Sequence, residues 1–265
     1  MTFDLSEVSF IQKGTGRDLV FFHGYLSSKE SFTAQIEYFS RFYRVTAFDF
    51  LGFGQSAPLK EAFSVSDYAE WTKALLDALK IERPHVVAHS FGCRVAVKMA
   101  KGDGQVFDKM LLTGPAGVIL KRGFGYKLKV KAYRLVKKFA PNYAEKHFGS
   151  TEYRSLPPVM RESYKKIVNE DLRADAREIS NEVLMVVGEE DKTTPIEEAE
   201  AYLVCLENGW IKRMEDLGFI RSMSKKGCSP DNSACEGFFG RLKNEFFYDK
   251  DWTKTGIKDF ILSLD

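Results

Sequence analysis

Histidine is scarce in this sequence and stops early. The 265 residues contain four, at 23, 85, 89 and 147, and none after His147. Any chemistry that needs an imidazole must draw on that short list. The four cysteines, Cys93, Cys205, Cys228 and Cys235, form no C-x-x-C pair. Their spacing supports neither a zinc site nor a disulfide framework, so reduced thiols and no metal or other cofactor are expected. No apolar run reaches membrane-spanning length, and no signal-peptide pattern follows Met1, so a cytoplasmic protein is expected. Charge of one sign is also lacking: the formal net charge of +2 argues against a nucleic-acid footprint spread over the whole chain.

What is present is the composition of a globular protein, 44% hydrophobic and 29% charged. Short apolar runs at 19–22, 43–48, 85–88, 110–112 and 183–187 alternate with helical patterns. That alternation predicts a parallel sheet with crossover helices. The runs are rich in β-branched and aromatic residues with few polar interruptions, as strands buried on both faces must be. Residues 8–12, ahead of the Gly14-Thr15-Gly16 turn, predict an antiparallel lead-in strand. Between 114 and 180 the pattern is helical with a break at Pro157-Pro158, which predicts a cap of about 115–180 inserted over the sheet. Within it, residues 121–138 hold eight Lys or Arg and no acidic residue. Leu128, Val130, Tyr133 and Leu135 interleave those charges, giving a basic amphipathic helix: a solvated lid face, or a surface for membrane or anionic ligands.

The chemistry concentrates at V-V-A-H-S-F-G, residues 86–92, which predicts a strand, a sharp turn and a helix. A serine on such a turn, Ser90, exposes its hydroxyl, while the next backbone N–H, that of Phe91, points at a developing oxyanion. Gly92 permits close approach of the helix, and Ala88 stands where the G-x-S-x-G pattern has its first glycine. F-F-H-G-Y at 21–25 ends an earlier strand, where the amide of Tyr25 supplies a second oxyanion donor. The glycine-punctuated loop D-F-L-G-F-G-Q-S follows the next strand at 49–56. G-E-E-D at 188–191, with Pro195, sets the carboxylate of Asp191 after a later strand; alone, Asp191 reads as a turn-capping aspartate.

Together these motifs resemble the α/β-hydrolase superfamily over residues 1–206. The resemblance implies an α/β-hydrolase fold, a mostly parallel sheet with a helical cap. It also implies acyl transfer, with Ser90 attacking a carbonyl, the Tyr25 and Phe91 amides holding the oxyanion, and Asp191 orienting a histidine base. In that family the base follows the acid after one more core strand. Here no histidine follows Asp191, and neither the last strand nor the last helix is apparent. His23 and His89 fall in family motif positions and read as structural or pocket-lining, and His85 begins a strand. His147 lies in the cap, from where it is the remaining candidate for an unorthodox base.

From about 208 the composition changes. Residues 234–248 predict an amphipathic helix with Phe238, Phe239, Leu242 and Phe246 on one face. S-M-S-K-K-G at 222–227 and P-D-N-S-A-C-E-G-F-F-G-R-L-K at 230–243 resemble the end of the integrase-like catalytic core of insertion-sequence transposases. The resemblance implies that Glu236 is the last of three metal-holding carboxylates, whose aspartate partners lie far upstream in that family. The upstream sequence here is hydrolase-like, so a lone helical carboxylate is expected at 236. The organisation expected is therefore a hydrolase domain at 1–206, lacking its last strand and helix, and a truncated, mainly helical transposase-like fragment at 207–265. Residues 183–187 are left as a possible open sheet edge unless the tail covers them. The function expected is an esterase-like serine hydrolase with a small acyl substrate, inactive or strongly impaired. The alternatives are an integrase-derived DNA-integration protein binding nucleic acid through its tail, or a non-catalytic hybrid reading frame.

Overall fold

A strand that is apolar on both faces must be covered on both, and the core is built on that requirement. The computed structural model describes residues 4–120, 156–188, 191 and 193–213. Among them run seven strands: β1 (Phe10–Lys13), β2 (Asp18–Phe22), β3 (Arg44–Phe48), β4 (His85–His89), β5 (Lys109–Thr113), β6 (Glu182–Val187) and β7 (Gly209–Arg213). They form one sheet in the order β1-β3-β2-β4-β5-β6-β7. β1 is antiparallel to β3, and every other neighbouring pair is parallel. Side chains alternate between the faces. Leu19 and Phe21 of β2 join Val45, Ala47 and Val87 under Phe32 and Ile36, on the side of α1 (Thr33–Phe39). Val20 and Phe22 join Phe48, Val86, Met110, Leu112 and Met185 on the other.

That second face is covered by α2 (Val65–Ala78), α3 (Phe91–Ala100) and, further along the chain, α6 (Ile196–Leu203). Ser64 and Asp67 start α2 with a reciprocal capping box that satisfies two otherwise orphaned N–H groups. In the inserted region the described residues form α4 (Pro158–Val168) and α5 (Arg173–Ala176), with no strand. The Pro157-Pro158 break is used as a helix start, where the missing proline N–H costs nothing. The other end of α4 is fastened by Arg94 of α3, whose Nη1 donates to the carbonyls of Ile167 at 2.8 Å and Glu170 at 3.0 Å. The basic stretch at 121–138 and His147 lie outside the described residues.

The α/β-hydrolase fold expected from the sequence is the fold observed, with one correction. A strand does follow residue 206. β7 pairs in parallel with β6 over its whole length, from Val183↔Gly209 to Val187↔Arg213, so the edge at 183–187 is covered. Gly209 makes this join possible: a Cβ there would stand 2.9 Å from Cβ of Leu206, in the turn from α6. The strand escapes notice in the sequence because it is short, is only partly buried and carries two cations. Trp210 on it is 49% exposed. The expected tail helix and Glu236 lie outside the described residues.

Phe22 is fully buried at the centre of the sheet, with edge-on ring contacts to Phe48 at 5.4 Å, Phe50 at 5.7 Å and Phe107 at 6.1 Å. Truncating it leaves a cavity that these rings cannot close. Phe22→Ala is expected to lose about 3–5 kcal/mol of stability, read from the urea unfolding midpoint.

Candidate active site

β4 ends at His89, and α3 begins at Phe91, so Ser90 alone makes the turn. Its backbone takes φ 48° and ψ −107°, a conformation costly for a residue with a Cβ. The surroundings hold it there. Ser90 N–H donates to the Thr113 carbonyl of β5 at 3.1 Å, and Cys93 N–H donates to the Ser90 carbonyl at 3.1 Å. Gly92 lies against β2, where a Cβ would stand 2.4 Å from the Phe22 carbonyl oxygen, so only glycine fits. Ala88, in place of the pattern's first glycine, is fully buried in the core. The side chain of Ser90 is half-buried, at the C-terminal edge of the sheet.

Tyr25 is brought to the same place. Its ring lies 5.7 Å from that of Phe91 and 4.9 Å from that of Phe53, and its hydroxyl donates to the Met160 carbonyl of α4 at 3.2 Å. The turn that presents it is closed by Ser27 N–H donating to the Gly24 carbonyl at 3.2 Å. A Cβ placed on Gly24 would be 3.6 Å from Cβ of Ser90, which puts the turn directly beside the serine. Phe91 heads α3, where the first backbone N–H groups have no intrahelical acceptor.

Asp191 is held firmly. Its Oδ1 accepts from the amides of Thr193 at 2.8 Å and Thr194 at 3.1 Å, and its Oδ2 accepts from Thr194 Oγ1 at 2.9 Å. The turn-capping arrangement is thus present, yet the carboxylate also reaches the site. Oδ2 lies 3.7 Å from the point a Cβ would occupy on Gly114, and Cε1 of His89 lies 3.6 Å from that point. Ser90, Tyr25, Phe91 and Asp191 therefore gather around the ends of β2, β4, β5 and β6, with His89 among them.

Two supports of this site were not legible in advance. Asp49 is fully buried and accepts from Lys29 N–H at 2.7 Å, Gln55 N–H at 2.9 Å and Lys29 Nζ at 3.0 Å. Its lysine partner sits in a polar stretch with no pattern to mark it for burial, yet Lys29 is 4% exposed. A Cβ on Gly54 would fall 2.3 Å from Asp49 Oδ2, so the glycine-punctuated loop wraps the carboxylate. The second support is Glu198 of α6, whose carboxylate accepts from Gly117 N–H at 3.2 Å and Val118 N–H at 3.4 Å. Burial pushes its pKa up, with the Asp191 charge adding to the shift.

His23 is structural, as expected. Its Nδ1 lies 2.7 Å from the Gly24 carbonyl oxygen, and its Nε2 accepts from Phe50 N–H at 3.1 Å. Both ring nitrogens are used by the neutral form, and full burial pulls its pKa down to about 4. An unfolded histidine titrates near 6.5. Between those values the unfolded chain binds more protons than the native one, so stability present above pH ~6.5 is lost as pH falls towards ~4. The expected loss from His23 is on the order of 2–3 kcal/mol, read as a falling urea midpoint across that window. Its ring resonances should remain those of a neutral imidazole at about pH 5.

The fold has parallels among known proteins. Residues 19–179 match the family model of the alpha/beta hydrolase fold. The chain is 32% identical over 83 residues to (E)-2-((N-methylformamido)methylene)succinate hydrolase of Acinetobacter baylyi, covering 31% of this chain and 32% of that one. It is 57% identical over 56 residues to a probable transposase for insertion sequence element IS1353 of Shigella flexneri, covering 21% of this chain and 11% of that one. The chain thus spans a third or less of the length of these curated relatives. An esterase from Exiguobacterium antarcticum superposes with a TM-score of 0.61 at 20% identity, over 78% of this chain and 86% of that one. With a family match across more than half its length, the chain belongs to the alpha/beta hydrolase fold family.

Proposed function

We propose that the chain is a serine-dependent hydrolase of small acyl substrates, ester-like in class, working far below the rate of a complete triad. The observation that carries this reading is the backbone of Ser90, held at a positive φ between β4 and α3 with its side chain at the open edge of the sheet. Strain of that kind, in a residue that glycine would satisfy more cheaply, fits a hydroxyl that must be presented for attack. In this reading Ser90 is the nucleophile, the amides of Tyr25 and Phe91 hold the oxyanion, and Asp191 is the acid of the triad. The hydrolase domain is taken as residues 1–206 with the strand β7 added from the following segment.

The weak point is the base. None of the residues after Asp191 is a histidine. A serine hydroxyl without a neighbour to take its proton is a poor nucleophile at neutral pH, and loss of a triad member costs about 10⁴ to 10⁶ in turnover. Hydrolysis of p-nitrophenyl acetate or butyrate is therefore expected to be slow but enzymatic, with the signal removed by Ser90→Ala. A rate above background that survives Ser90→Ala would sink the assignment. The free thiol of Cys205 fits a reducing compartment, and we assign the chain to the cytoplasm.

A second reading rests on the 57% identity to a transposase. Under it the tail would bind DNA and Glu236 would hold metal with two further carboxylates. The match covers 11% of that transposase, so the hydrolase reading is preferred. A fluorescence-anisotropy titration of duplex DNA against salt separates the two. No saturable, steeply salt-dependent binding is expected, and a slope corresponding to several phosphate contacts would restore the DNA reading.

A further inference from the structure

The turn that carries Tyr25 is lightly held by its own backbone. Ser27 N–H donates to the Gly24 carbonyl at 3.2 Å, and Leu26 within the turn takes φ 57°, a conformation costly for a residue with a Cβ. Such a turn needs support from outside. His23 secures it at Gly24, and the side chain of Tyr25 secures the next residue. The Tyr25 ring packs against those of Phe53 at 4.9 Å, Phe91 at 5.7 Å and Tyr164 of α4 at 5.1 Å. Its hydroxyl donates to the Met160 carbonyl of the same helix at 3.2 Å.

α4 is a firm support. Ser163 Oγ donates to the Phe63 carbonyl at 2.7 Å, and Lys166 Nζ donates to the Ala62 carbonyl at 2.6 Å. Met160 is buried, its Sδ 2.7 Å from the point a Cβ would occupy on Gly52. At the other end, Arg94 Nη1 holds the carbonyls of Ile167 and Glu170 at 2.8 and 3.0 Å. Arg94 belongs to α3, about one helical turn beyond Phe91. One helix is therefore joined to both backbone segments that flank the serine: to the Tyr25 turn at Met160, and to α3 at Ile167. Between those joints lies about 10 Å of helix.

We propose that α4 is a bracket that fixes the spacing of the two oxyanion amides, with the Tyr25 hydroxyl and Arg94 as the positioning groups that attach it. The inference rests on the serine-hydrolase reading, in which the amides of Tyr25 and Phe91 receive the developing oxyanion. Such donors stabilise a transition state only when they are aimed before the charge appears, and a displacement of about 1 Å forfeits on the order of 100-fold in rate. Neither the Tyr25 hydroxyl nor the Arg94 guanidinium touches substrate in this role. The bracket therefore acts on kcat and leaves ground-state binding alone. Both donors are backbone groups and survive any change of side chain, so the bracket can be released while the donors stay.

The test is a double-mutant cycle on p-nitrophenyl acetate turnover by the full chain, with the rate of Ser90→Ala subtracted. Tyr25→Phe keeps the ring contacts and loses only the hydroxyl. The Met160 carbonyl can still accept within α4, so the urea midpoint should stay close to that of the parent. Its kcat is expected to fall about 10-fold, with KM unchanged within about 2-fold. Arg94→Met keeps the aliphatic stem, frees the other end of the helix and should lower kcat by a similar factor. A bracket freed at either end no longer sets the spacing, so the double variant should be about as slow as the slower single one. Losses that multiply, a rise in KM alone, or a parent-like kcat in Tyr25→Phe overturn the proposal and leave Ser90 as nucleophile. If Arg94→Met does not fold, the split of kcat against KM in Tyr25→Phe decides by itself. A parent chain with no Ser90-dependent turnover overturns both the bracket and the reading beneath it.

Discussion

Ser90 takes a backbone conformation that a lone peptide would avoid, at a cost of about 1–3 kcal/mol, and three neighbouring strands keep it there. β5 receives its N–H through the Thr113 carbonyl, β2 presses its Phe22 carbonyl against the bare Cα of Gly92, and β4 delivers the chain into the turn. Thr113 has a double part in this, because the same residue also orients His89. A displacement of β5 relative to β4 would therefore disturb the serine backbone and the imidazole together. The packing of the sheet and the geometry of the site are one constraint, which is why the side chain on this turn can be presented in a fixed position.

The loops above the strands are held by buried polar groups as well as by apolar side chains such as Phe50 and Phe53. His23 joins the Gly24 turn to Phe50, and Asp49 joins the loop at 49–56 to Lys29. Neither is a simple gain in stability. A buried ion pair such as Lys29 with Asp49 roughly balances its desolvation, while removing one partner alone leaves an uncompensated charge costing about 3–5 kcal/mol. What such groups provide is a single geometry. Only glycine fits at 54, because the Asp49 carboxylate occupies the space a side chain would need, and the Tyr25 turn keeps its place beside Ser90 through the His23 link.

The parallel strands were legible in the sequence because burial on both faces leaves an uninterrupted apolar run, as at 19–22 and 183–187. The serine turn was legible because its steric demand falls on one residue, Gly92, two places from Ser90. The partners of the site were not. Thr113 lies 24 residues from His89 and Lys29 lies 20 from Asp49, and nothing local to either marks the pairing. β7 was missed for a different reason. Gly209–Arg213 has the half-exposed composition of an edge strand, and its pairing comes from the neighbouring strand rather than from its own side chains.

That difference bears on how a chain with two resemblances holds together. β7 belongs to the stretch, from about 208, that resembles a transposase, yet it extends a hydrolase sheet in register. Pairing asks for little beyond an extended backbone with free N–H and C=O groups, a tight turn at Gly209 and side chains that tolerate an edge. Many unrelated sequences satisfy those terms. A triad base satisfies none of them generically: it needs one side-chain type, at one position, in one tautomer. A segment of transposase-like sequence can thus extend the sheet without supplying such a base.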